Sequence, residues 1–113
     1  MLYILQTTVD ITRLSFLSKL KRVVESPDVR TWLYIAPSNR FVFRAASWRD
    51  YGSISVEYYQ DDIHKLKIMF FPNRSSRFTE DELEYARAVY FADFTQMLLV
   101  HFPELIHRLT IYP

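Results

Sequence analysis

The sequence predicts one α+β domain spanning residues 1–113: a four- to five-stranded antiparallel meander sheet packed by an N-terminal amphipathic helix and a long C-terminal helix, then a short terminal helix. Three observations lead there. Residues 31–70 contain short aromatic and β-branched runs joined in pairs by turn chemistry. Stretches on either side of them repeat their apolar residues at three and four instead of two. A chain of 113 residues with 50% hydrophobic content is also about the size that buries a single continuous core.

The elements follow in order. LYILQ, residues 2–6, is an apolar run of strand formers and reads as a first strand. From Asp10 the spacing becomes helical: Ile11, Leu14, Leu17, Leu20 and Val24 share one side, with Thr12, Arg13, Ser18, Lys19, Arg22 and Glu25 on the other. Asp10 is placed to cap this helix and Pro27 to end it. TWLYIA and FVFRAA, joined by PSNR, form a hairpin pattern. After the loop SWRDYGS, Ile54, Val56 and Tyr58 alternate with Ser55, Glu57 and Tyr59. Past Asp61 and Asp62, Leu66, Ile68 and Phe70 alternate with Lys65, Lys67 and Met69, which predicts a second hairpin with one wet face.

The polar loop PNRSSR leads into a strong helix start, where Thr79 and Glu82 have capping-box spacing and Phe78 with Leu83 fits a hydrophobic staple. Pro103 should stop this helix after about Phe102, because it lacks a donor and disfavours helical geometry just before itself. PELIHRL then predicts the short terminal helix, with proline at its first position.

Apolar residues surround the long helix on almost every side. Winding at 100° per residue groups Leu83, Ala86, Tyr90, Phe94, Met97 and His101, with Leu98 at the edge, as the stripe that faces the sheet. Tyr85, Val89, Ala92, Leu99 and Val100 lie roughly opposite, interrupted by Asp93 and Gln96. A membrane span needs about 20 predominantly apolar residues, and this stretch carries Arg87, Asp93, Gln96 and His101, so no membrane role is expected. The second face therefore needs cover from the first helix, from the tail LTIYP, or from another chain.

Composition excludes several chemistries. The chain has no cysteine, hence no disulfide, thiolate metal site or cysteine nucleophile, and its single glycine, Gly52, rules out phosphate-cradling loops and nucleophile elbows. His101, Glu104 and His107 are three apart, but Pro103 interrupts the shared helical face that a metal site would use. Asp61 and Asp62 are adjacent and read as a turn, not a catalytic pair. No cofactor and no metal are expected. The N-terminus lacks a basic region and a long apolar run, which points to the cytoplasm.

Net charge is +1, yet residues 1–50 hold eight Lys or Arg against four acids, and residues 80–113 hold six acids against two Arg. Arginine outnumbers lysine ten to four and tyrosine is frequent, a vocabulary of interface anchors. Trp48, Arg49 and Tyr51 concentrate it in one loop between strands. The leading expectation is a non-catalytic protein-binding module of inhibitor, immunity or adaptor type, acting through Trp48, Arg49 and Tyr51 and through the face built from Tyr85, Val89, Ala92, Leu99 and Val100. Its partner would be a protein, a second copy of the chain being the simplest. The alternative is a single-stranded nucleic-acid binder using Arg44, Tyr59, Lys65 and Lys67 on the wet sheet face.

Overall fold

The structure is a computed structural model that describes residues 2–7, 13–59, 62–75, 77–104 and 106–112, with residues 2–7, 13, 14, 63 and 106–112 described as backbone alone. In chain order the elements are β1 (Leu2–Thr7), α1 (Arg13–Val24), β2 (Trp32–Ile35), β3 (Arg40–Phe43), α2 (Ala46–Arg49), β4 (Gly52–Tyr59), β5 (Asp62–Pro72), α3 (Glu80–His101) and β6 (Ile106–Tyr112). The class is α+β. The strands make one antiparallel sheet in the order β2-β3-β4-β5-β1-β6.

Strands β2 to β5 are the expected meander, but the sheet has six strands, not four or five. The added strand replaces the expected terminal helix: residues 106–112 extend along β1, with Leu5 opposite Leu109 and Tyr3 opposite Ile111. On its other side β1 pairs with β5, Leu5 opposite Leu66 and Tyr3 opposite Ile68. A strand at this place saturates the outer hydrogen-bonding row of β1, whereas an isolated helix of one or two turns is only marginally stable in water. The tail is thereby committed to the sheet.

Helix α1 begins at Arg13, so the expected cap Asp10 and Ile11 lie outside the described residues, as does the side chain of Leu14. Helix α3 starts as its capping box requires. The Thr79 hydroxyl accepts from the Glu82 amide at 3.1 Å, and the Thr79 amide donates to the Glu82 carboxylate at 3.0 Å. The Thr79 amide, together with its hydroxyl, holds the Glu82 carboxyl below the usual range.

The core lies between the helices and one face of the sheet. Register brings its residues together: Trp32 faces Phe43, Phe41 faces Ile54, Ile54 faces Phe70 and Val56 faces Ile68. These join Phe16, Leu20 and Val24 of α1 and Tyr90, Phe91, Phe94 and Leu98 of α3 in one buried cluster. Each fully buried large side chain contributes about 1.5–3 kcal/mol. Phe91 was not expected in the buried stripe. It packs against Phe70 and widens the covered sector of α3, while His101 at the end of the stripe is half-buried.

Trp32 occupies the centre of the β2 end of this core. Its ring stacks on Phe43 at 4.5 Å and meets Tyr90 and Phe94 edge-on at 5.5 and 5.0 Å, while its indole N–H donates to Asp93 at 2.8 Å. Asp93 therefore does not belong to the free side of α3; it is turned in to the indole.

The opposite sheet face is drier than the alternation implies. Val42 and Ser55 are buried there, Met69 and Phe71 are half-buried, and the Ser55 hydroxyl has no hydrogen-bond partner among the described residues. At the start of β4, a Cβ on Gly52 would stand 2.4 Å from the Phe70 ring and 2.6 Å from the Phe71 carbonyl oxygen, so only glycine lets β4 lie this close to β5.

Ile68 is fully buried, whereas the preceding residue, Lys67, pairs with Glu57 at 3.4 Å on the other face. Ile68→Asp should unfold the domain at 25 °C, and Lys67→Asp should cost about 1 kcal/mol or less. Equal melting temperatures for the two variants would disprove the register. Gly52→Ala should lose about 1–3 kcal/mol in denaturant melts through overpacking.

Candidate functional site

The chain leaving β3 makes one helical turn, α2, instead of an open loop. The Trp48 and Arg49 amides both donate to the Ala45 carbonyl, at 3.0 and 2.9 Å, and the Tyr51 amide donates to the Trp48 carbonyl at 3.2 Å. This winding separates the three residues expected as anchors in one loop. Trp48 is half-buried at the core margin, with ring centroids 6.0 Å from Phe43, 5.4 Å from Tyr51 and 5.9 Å from Tyr85. Tyr51 stacks on Phe78 at 4.3 Å. Arg49 points elsewhere and donates to the Arg44 carbonyl. Beneath Trp48, the Tyr90 hydroxyl donates to the Trp48 carbonyl at 2.6 Å, and burial pushes the Tyr90 phenol up to about 12.

The outer side of α3 is where the second group of candidate residues lies. Tyr85 and Val100 are 65% and 64% exposed, Leu99 is 46% exposed, and Ala92 is exposed between them. Val89 differs, being half-buried and packed on the core margin. Tyr85, Val89, Ala92, Gln96 and Leu99 follow one another at alternating intervals of four and three, the spacing with which one helix offers a straight seam to another. The seam spans about 21 Å at 1.5 Å per residue. The Trp48 and Tyr85 rings join α2 to its N-terminal end, so two candidate places that are separate in sequence form one surface.

The nucleic-acid candidates do not converge. Lys65 lies 4.0 Å from Asp62 and Lys67 lies 3.4 Å from Glu57, so both charges face carboxylates. Tyr59 is half-buried at the end of β4, opposite Asp62. Arg44 sits beyond β3, where its guanidinium donates to the Arg30 and Trp32 carbonyls at 3.1 and 3.3 Å.

A broader charge pattern emerges from the ion pairs. Among the described side chains, every Lys or Arg after residue 60 has an acidic partner: Lys65, Lys67, Arg74, Arg77 and Arg87. Arg40, Arg44 and Arg49 have none among the described residues and are held by carbonyls, a hydroxyl and a ring instead. Sequence reasoning missed Arg40, because nothing local signals that it meets Phe71, which is far away along the chain. Among the described residues no group of three or more His, Asp or Glu is arranged to hold a metal ion, and no helix is long and apolar enough to cross a membrane. No family model, curated protein or solved structure matches the chain.

Tyr90 gives a pH signature for this region. A neutral phenol whose pKa is raised by folding contributes stability that is present below about pH 10, the unfolded value, and is lost as pH rises through about 12. Stability should therefore fall across that window, and Tyr90→Phe should flatten the fall. Identical slopes for wild type and variant in denaturant melts would show that the phenol ionises as freely in the fold as in water.

Proposed function

We propose that the protein is a non-catalytic protein-binding module that docks a partner helix along the outer side of α3. The observation that supports this most is the distribution of exposed apolar residues. Of the four large hydrophobic side chains exposed among the described residues, Tyr85, Leu99 and Val100 share this one side and only Ile35 lies elsewhere. The partner's form follows from the seam: Ala92 at its middle allows close backbone approach, and the alternating spacing suits knobs of a facing helix. Trp48 and Tyr85 supply aromatic anchors at one end. Because the opposite side of α3 is fixed by the core, the docking side is held rigid before any partner arrives, which lowers the entropic cost of binding. The partner is a protein, a second copy of this chain included, and the reading covers inhibitor, immunity and adaptor roles.

The test uses exposed positions and leaves the half-buried Val89 alone. Leu99→Glu combined with Val100→Glu and Tyr85→Ser should keep the wild-type melting temperature within a few degrees while reducing partner retention at least tenfold in affinity capture. Sedimentation of the wild type tells whether the partner is a second copy. A folded triple variant that retains the same partner as the wild type overturns the reading.

A further inference from the structure

The sheet face away from the helices carries a second, differently built place. Arg40, at the start of β3, lays its guanidinium over the Phe71 ring, 3.8 Å from the centroid, and donates to the Ser53 hydroxyl at 3.1 Å. Ser53 and Phe71 are register partners on adjacent strands, so the ring and the hydroxyl hold the planar fork flat against the sheet. A guanidinium has five N–H donors, and one of those of Arg40 is engaged with Ser53. Arg49 approaches from α2, fastened at one nitrogen to the Arg44 carbonyl.

Arg40 and Arg49 both line one open, shallow cavity of about 370 Å³, together with Gly52, Asp50 and Asn73. Among the described residues Asp50 is the only acid in its wall, and it is already engaged by Arg77 at 3.0 Å. The Asn73 side-chain amide donates to the Asp50 carbonyl at 2.8 Å and fixes the rim. Two arginines held by other contacts thus line one space, and neither has a carboxylate partner among the described residues.

We propose that this cavity receives the carboxylate of an Asp or Glu side chain from the protein partner, gripped between Arg40 and Arg49. The proposal rests on the protein-binding reading and specifies the partner's chemistry. A planar, always-charged guanidinium matches a carboxylate with two parallel hydrogen bonds. Its isolation argues for an acidic side chain over a nucleic-acid backbone, which needs a row of unneutralised cations. The lysines farther along the same sheet face are neutralised by Asp62 and Glu57. Helix α2 links this cavity to the docking seam, because Trp48 faces Tyr85 while Arg49, the next residue, faces the cavity.

The experiment follows backbone amide resonances of the isotopically labelled protein at low salt during titration with hexaglutamate, inorganic phosphate and a single-stranded oligothymidylate. Hexaglutamate should produce saturable shifts at Gly52, Ser53 and Asn73. Arg40→Gln and Arg49→Gln should each weaken binding at least tenfold with the rest of the spectrum unchanged, and Lys65→Gln should leave it as in the wild type. Absence of saturable shifts at these amides, wild-type affinity in either arginine variant, or tighter binding of phosphate or the oligonucleotide each overturns the proposal. The probe is independent of partner capture. Hexaglutamate binding that persists when the α3 triple variant still captures its partner counts against the docking reading alone, and the converse counts against the cavity alone.

Discussion

The hydrogen bond from the buried Trp32 indole to Asp93 sets how α3 is turned, and the remaining surfaces follow from that rotation. A hydrogen bond to a charged acceptor is worth about 1.5–3 kcal/mol, more when its loss leaves a carboxylate unpaired in a partly buried place. The aromatic cage around the indole adds directionality, since edge-on and stacked contacts tolerate little rotation of the helix. With Asp93 facing inward, Phe91, Phe94 and Leu98 reach the sheet, and Ala92, Leu99 and Val100 are left outside. The apolar outer seam is therefore not a failure of packing. It is what remains when one indole and one carboxylate fix the register of helix on sheet.

Helix α2 does for the loop what Asp93 does for α3. A single helical turn sends consecutive side chains about 100° apart, so Trp48 goes to the core margin while Arg49 lines the cavity that Arg40 also lines. Four residues thus serve two surfaces of different chemistry, one aromatic and one cationic. The tight approach of β4 to β5 at Gly52 lies directly after this turn and keeps it seated on the sheet.

Local signals in the sequence identified what local physics decides. The two hairpins, the capping box of α3 and the Leu17, Leu20 and Val24 part of the α1 face depend on neighbours a few residues away, and each lies where periodicity or capping chemistry placed it. Residues 106–112 show the opposite case. A proline followed by Glu, Leu and Ile carries a helix-start signal, yet the partner that makes this segment a strand is β1, which is remote in the chain. Strand preference depends on such partners, and a single sequence does not display them. The candidate site divides in the same way. Trp48 and Tyr85 were each visible as anchors, but their proximity at 5.9 Å was not, and Arg40 became significant only beside Phe71.

The meander begins at β2, an edge strand of four residues whose outer side has no neighbouring strand among the described residues. Such edges invite other chains to add themselves by main-chain pairing. Here Arg44 folds its guanidinium back onto the Arg30 and Trp32 carbonyls, so acceptors that an intruding strand would need are already occupied, and by a charged group. A molecule that shows an apolar helix to its surroundings runs a constant risk of uncontrolled assembly. A fixed cation at the β2 margin works against main-chain addition there, and so against the open-ended stacking of strands that leads to fibrils.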